Sequence, residues 1–195
     1  MRITDCRYDR DRLRLDVAFR LIGHEARTRT IRLATKLSDD RIRRLYREYV
    51  QADPAFEVRR RRGRSPRQMS HFRRSLVHEF QAATLASMLR TCGLLATSGL
   101  FRHPDPADVA LLCDIYETYQ KLCLNALISF EHAWYLTEVL SRGDEFRLAS
   151  CPDCDAYWVQ DSLSLLPYNC AACRSGDTSG LIEAQRPDPC RPGGC

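Results

Sequence analysis

Residues 151–173 read CPDCDAYWVQDSLSLLPYNCAAC, with Cys151 and Cys154 forming one Cys-x-x-Cys pair and Cys170 and Cys173 a second, fifteen residues apart. Two residues between thiols let each pair close into a tight knuckle, and pairs so spaced read as a four-cysteine metal site. Zinc is the ion this donor set suits, with iron or a redox-active pair as the alternative. Four thiolates complete a tetrahedral shell and leave no position for water, so the expected ion is structural, one Zn2+ per chain. Tyr157, Trp158, Val159 and Leu165 lie between the pairs. They are enough for two short strands and a small apolar patch, but not for independent folding. Bound metal supplies the difference, on the order of 10 kcal/mol or more.

Upstream of this stretch the apolar spacing is helical. Val109, Leu112, Tyr116, Tyr119, Cys123, Ala126, Phe130 and Trp134 recur at helical intervals from the turn His103-Pro104-Asp105-Pro106 to Gly143. One helix of that span would be roughly 55 Å long, so the pattern allows a break into two, although no proline or glycine marks it. Before it, Ser65 and Pro66 read as N-cap and first residue of a helix through Met69, Phe72, Leu76, Phe80, Leu85 and Met88, closed near Gly93. Its apolar stripe is expected in the core. Residues 53–67 read as a loop. Leu13, Val17, Leu21 and Ile22 predict one amphipathic helix from Leu13 to about Leu33, with Gly23 as the place for a bend. The fold class is therefore mainly α. A helical domain is expected over 1–147, a small zinc-ribbon-like module over 148–180 and a disordered tail over 181–195.

The net charge of +5 conceals an asymmetry: residues 1–100 hold 23 Lys and Arg against 11 Asp and Glu, and residues 101–195 hold 7 against 14. A basic half suits a polyanion, and an acidic half suits protein partners. No run reaches the roughly 18 apolar residues of a membrane span, and no signal-peptide core follows Met1, so a cytoplasmic location without membrane contact is expected. Cys92, Cys113 and Cys123 fall within helical apolar patterns, which fits a reducing compartment. His24, His71, His78, His103 and His132 are scattered singly, without a nucleophile at any fixed local spacing. Core or surface roles are expected for them, and packing roles for Trp134 and Tyr135. An enzyme with a small-molecule substrate is not expected.

Thr30 to Tyr46 reads as a short helix, a turn at Leu37-Ser38, and a second helix opening at Asp39 with Ser38 as N-cap. Ala34 is the small residue at the crossing, and Ile42 and Leu45 face the core. Arg41, Arg43, Arg44 and Arg47 then project outward, toward phosphates or guanine edges. The turn is short and lacks glycine, and a solvated arginine face is the alternative. Arg59, Arg60, Arg61, Arg62 and Arg64 add a basic loop suited to a phosphate backbone.

The segment Leu37-Ser-Asp-Asp-Arg-Ile-Arg-Arg-Leu-Tyr-Arg-Glu-Tyr49, the Ser65-Pro66 step, the Ala133-Trp134 helix and the paired cysteines, in that order, resemble FlhC, the zinc-containing subunit of the flagellar master transcriptional activator of proteobacteria. The resemblance runs from about Leu13 to Cys173. It implies a largely helical protein that joins FlhD subunits in a hetero-oligomer, binds promoter DNA of flagellar genes and helps RNA polymerase initiate, with zinc on Cys151, Cys154, Cys170 and Cys173. The chain departs from that pattern in its arginine-rich loop, where relatives carry Pro-Phe and Trp features, and in a tail without their basic run. Both departures bear on promoter preference and on pairing with FlhD.

Overall fold

The computed structural model describes residues 3–52, 58–96, 104–164 and 169–176, among which it is mainly helical. Parts of the loop expected over 53–67, namely 53–57, and the tail expected over 181–195 lie outside the described residues, as do His103 and Leu165.

The N-terminal helix expected from Leu13 to Leu33 is two helices, α1 (Ile3–Gly23) and α2 (Thr28–Thr35). The chain turns not at Gly23 but two residues later. Glu25 takes a left-handed φ of 56°, its N–H bonds Ile22 O at 2.9 Å, and the Ala26 N–H bonds Leu21 O at 2.9 Å. This pair of bonds is the Schellman closure of a helix end. The amide at the start of α2 is met from a distance, because Arg27 N donates to the buried Glu131 carboxylate at 2.8 Å. A carboxylate there satisfies a free helix N–H and complements the helix dipole.

Helix α3 (Asp39–Ala52) opens as expected, with Ser38 Oγ accepting from Arg41 N at 3.3 Å and Asp39 and Asp40 in its first turn. Ala34, Ile42 and Leu45 are buried between α1, α2 and α3.

The helix expected from Ser65 forms later. Residues 58–68 carry neither helix nor strand, Met69–Arg73 makes a 3-10 turn, and α4 runs Leu76–Thr91. Its cap is Ser75, whose hydroxyl accepts from His78 N at 3.3 Å. Met69, Phe72 and Leu85 are buried, but Leu76 and Phe80 stand exposed, so the expected stripe is only partly core. Met69 and Phe72 lie in the 3-10 turn instead of α4, so they do not continue one helical stripe with Leu76 and Phe80. The closure near Gly93 is as expected, with φ +77°.

The long C-terminal pattern breaks into α5 (Pro106–Leu122) and α6 (Phe130–Arg142). Gln81, fully buried on α4, organises the connector. Its Nε2 donates to Asn125 O at 2.9 Å and its Oε1 accepts from Leu127 N at 2.8 Å and from Tyr119 OH at 2.5 Å. Tyr116 OH donates to Ile128 O at 3.1 Å. Ile128, not Ala126, takes the buried place in this turn.

Strands β1 (Phe146–Ser150) and β2 (Tyr157–Asp161) pair antiparallel, Leu148 opposite Val159 and Ser150 opposite Tyr157. The hairpin lies against α4. Leu148 and Val159 pack on the helical core, while Trp158 packs with Cys151, Cys170 and Ala83 of α4. A final short helix, α7 (Ala171–Ser175), also rests on α4, where Arg174 pairs with Glu79. Among the described residues no helix is long and apolar enough to cross a membrane.

Candidate metal centre and basic surface

The first Cys-x-x-Cys pair is the turn of the β1–β2 hairpin. Cys151 N bonds Ala156 O at 2.9 Å and Asp155 N bonds Cys151 O at 2.9 Å, with Asp155 in the left-handed region at φ 57°. This curl turns Cys151 and Cys154 to the same side. The second pair sits at the start of α7, with Cys170 at its N-cap and the Cys170 N–H donating to Cys151 Sγ at 3.3 Å. Asn169 bonds Asp153 across the two knuckles.

The four sulfurs lie within 4.8 Å of one another, and all four cysteines are unbridged. Cys154 and Cys170 are 3.6 Å apart, far from a disulfide length and close to the edge of a ZnS4 tetrahedron, about 3.8 Å for Zn–S bonds of about 2.3 Å. The amide of Cys170, with burial opposing it, pulls the Cys151 thiol down to about 6, while the neighbouring Cys154 and Cys170 sulfurs push Cys173 up. Four thiols this close cannot all ionise without a cation between them, and a closed set of soft donors suits a borderline-soft divalent ion. The residues present therefore fit a metal ion held by Cys151, Cys154, Cys170 and Cys173, which would join hairpin and α7 as one unit.

The expected basic residues come together on another part of the surface. Arg41, Arg43, Arg44 and Arg47 are all exposed on α3, and Arg43 pairs with Asp40 at 2.7 Å. The turn before α3 comprises Lys36, Leu37 and Ser38, and Lys36 supplies the left-handed conformation (φ 60°) for which glycine is the usual choice.

The arginine loop is a strap laid on the α1–α2 corner. Glu25 accepts the Arg59 N–H at 3.2 Å through Oε1 and the Arg61 guanidinium at 2.7 Å through Oε2. Arg60 reaches Thr28 Oγ1 at 3.3 Å and lies 5.4 Å from the centre of the Tyr46 ring on α3. Arg27 donates to the Arg64 carbonyl, and Arg67 stands 4.0 Å from Glu138. Glu25, Arg27 and Arg29, which shape this surface, carry no periodic or motif signal and were legible only once the helix break was known.

Three of the scattered histidines meet. His71 and His132 stack at 3.7 Å between ring centres, and His78 meets His71 edge-on at 5.1 Å. Their Nδ1 atoms on His78 and His132 are engaged by Ser75 and Ser129 at 2.9 and 2.8 Å. Burial, then the charges of His71, Arg27, Arg61 and Arg74, holds His132 down to about 4, and burial also lowers His71 and His78. Trp134 and Tyr135 are buried packing residues, as expected.

No protein-family model matches the chain, and no curated protein matches its sequence.

Proposed function

We propose that the chain is a zinc-stabilised, DNA-binding transcriptional activator that resembles FlhC and acts in the cytoplasm with an FlhD-like subunit and RNA polymerase at promoter DNA, rather than an enzyme. The observation that carries this reading is the basic surface. An arginine strap lies beside two helices joined by a three-residue turn, the second exposing Arg41, Arg43, Arg44 and Arg47. Zinc bound by the four cysteines would supply a structural crosslink and no reacting group. The cysteine module rests on α4, and its own exposed acids, Asp153 and Asp155, make it a poor phosphate ligand.

Electrophoretic shift or fluorescence anisotropy with flagellar promoter duplexes, with and without an FlhD-like partner, tests the reading. Binding is expected to weaken with salt at a slope of about −0.9 per phosphate contact and to favour promoter over scrambled DNA. Absence of any salt-sensitive shift, at every subunit ratio, sinks it.

One observation favours a second reading, a zinc-ribbon adaptor for protein partners. An apolar hollow of about 500 Å³ lies between α4 and the cysteine module, lined by Phe80, Ala83, Met88, Tyr157, Trp158 and Ala172 among others. Substituting Arg59 to Arg62 with Ala separates the two. An adaptor keeps its partner, whereas a DNA-binding activator loses DNA.

A further inference from the structure

Glu25 occupies a position that its side chain does not favour on conformational grounds. It is the left-handed residue of the Schellman closure of α1, where glycine is the usual occupant because it has no Cβ to clash. A carboxylate held in such a conformation points to a job done by the side chain. That job is visible in its contacts: both oxygens are spent on the strap, one on the Arg59 amide and one on the Arg61 guanidinium. One anionic group taking a backbone N–H and a guanidinium together is also how a phosphate is held.

Around Glu25 the other guanidinium groups face outward. Arg29, Arg62 and Arg64 are exposed, and no carboxylate among the described residues pairs with them. Arg29, Arg64 and Arg67 line one hollow of about 690 Å³ with Glu131 and Glu138, and Arg61 with Glu25 and Glu117 lines a second that shares Glu131. Arg29 stands in the first turn of α2, and Glu25 is the acid that holds Arg61 beside it.

We propose that Arg29, Arg61, Arg62 and Arg64 form a phosphate-binding edge for the backbone of duplex DNA, in which Glu25 holds the place of a phosphate at Arg61 until DNA displaces it. This inference rests on the DNA-binding reading above and adds to it the contact surface and the means by which it is kept closed. The Glu25–Arg61 pair suits such an exchange. It is partly exposed, with Glu25 at 26% and Arg61 at 51% side-chain exposure, and such pairs are weak enough for a phosphate to replace. The Arg60 contacts to Thr28 and the Tyr46 ring remain to keep the strap in place when Glu25 lets go.

The test is a double-mutant cycle on the full, zinc-loaded chain, read as anisotropy of a short labelled duplex over a salt series. Glu25→Gln keeps the shape and removes the charge, and Glu25→Gly removes the acid while accepting the left-handed backbone, so loss of fold does not mimic the expected result. Both are expected to tighten duplex binding about two- to fivefold at low salt, the scale of one surface pair. Arg61→Ala is expected to weaken binding and flatten the salt slope by about 0.9, one phosphate contact. In the Arg61→Ala background Glu25→Gln should then bring no gain. A gain of the same size without Arg61 would reduce Glu25 to a general charge effect and overturn the exchange. Weaker binding by both Glu25 variants would make Glu25 an organiser of the strap and overturn it equally. If neither the parent chain nor any variant binds duplex DNA, the DNA-binding reading itself fails and the edge fails with it.

Discussion

Lys36 adopts φ 60° between α2 and α3, and its N–H closes α2 onto Arg32 O at 2.9 Å. A side chain in this region costs backbone energy that glycine does not pay. Lys36→Gly is therefore expected to raise stability by about 0.5–1 kcal/mol, measured as the urea midpoint, while Lys36→Val lowers it. A second residue-scale expectation concerns the stacked histidines. His132 is held near 4 in the folded chain and titrates near 6.5 when unfolded, so below about pH 6.5 the unfolded chain binds more protons. Stability should fall as pH drops from about 6.5 to about 4, by about 2 kcal/mol after allowance for solvent screening of a half-buried ring. Acid also strips metal from thiolates, so the measurement is the difference between parent and His132→Asn. Parallel pH profiles for the two would refute the assignment.

At the scale of the element, the residue able to cap a helix decides where it begins. Ser75 caps α4 and Ser65 caps nothing, because Pro66 is followed by extended chain up to the 3-10 turn at Met69. Ser75→Ala should cost about 1 kcal/mol, and Ser65→Ala should leave the unfolding midpoint nearly unchanged. The α5–α6 connector depends on one side chain from another helix. Gln81→Leu would leave Leu127 N–H, Asn125 O and the Tyr119 hydroxyl without their partner, a loss of about 2–4 kcal/mol. A Gln81→Leu midpoint equal to the parent would show that water replaces the amide. The break between these helices carries no proline or glycine because its backbone groups are satisfied by tertiary contacts instead of by local turn chemistry.

Across the whole molecule, the large core joins α1 through α6 and the hairpin, whereas a small second cluster of Cys151, Trp158 and Cys170 forms around the metal site. Removing the ion should therefore release the C-terminal module first. A chelator is expected to shift Trp158 fluorescence and expose the amides of β2 and α7 to hydrogen exchange, while most of the helical circular-dichroism signal persists, because that module contains only the five-residue α7. Cys151→Ala or Cys173→Ala should lower metal content in parallel with these changes. Full metal content in either variant would remove that cysteine from the ligand set.

The sequence alone determined the helical class, the cluster of four cysteines able to hold a metal ion, the cap of α3 at Ser38 and the exposed arginines on α3, because each is encoded by spacing within a few residues of chain. The paired cysteines were the most legible of all, since two-residue knuckles bring thiols together whatever surrounds them. Tertiary structure decided the rest. It placed the left-handed turn after α1 at Glu25 rather than a bend at Gly23, moved the cap of α4 to Ser75, broke the last long helix at a connector held by Gln81, and stacked His71 on His132 across 61 residues of chain. These outcomes depend on partners that meet only on folding: a carboxylate from α6 at the start of α2, an amide from α4 in the α5–α6 turn, and an acid at a helix end against an arginine strap. Local periodicity carries no record of such partners, because their energies appear only when distant segments exclude water between them.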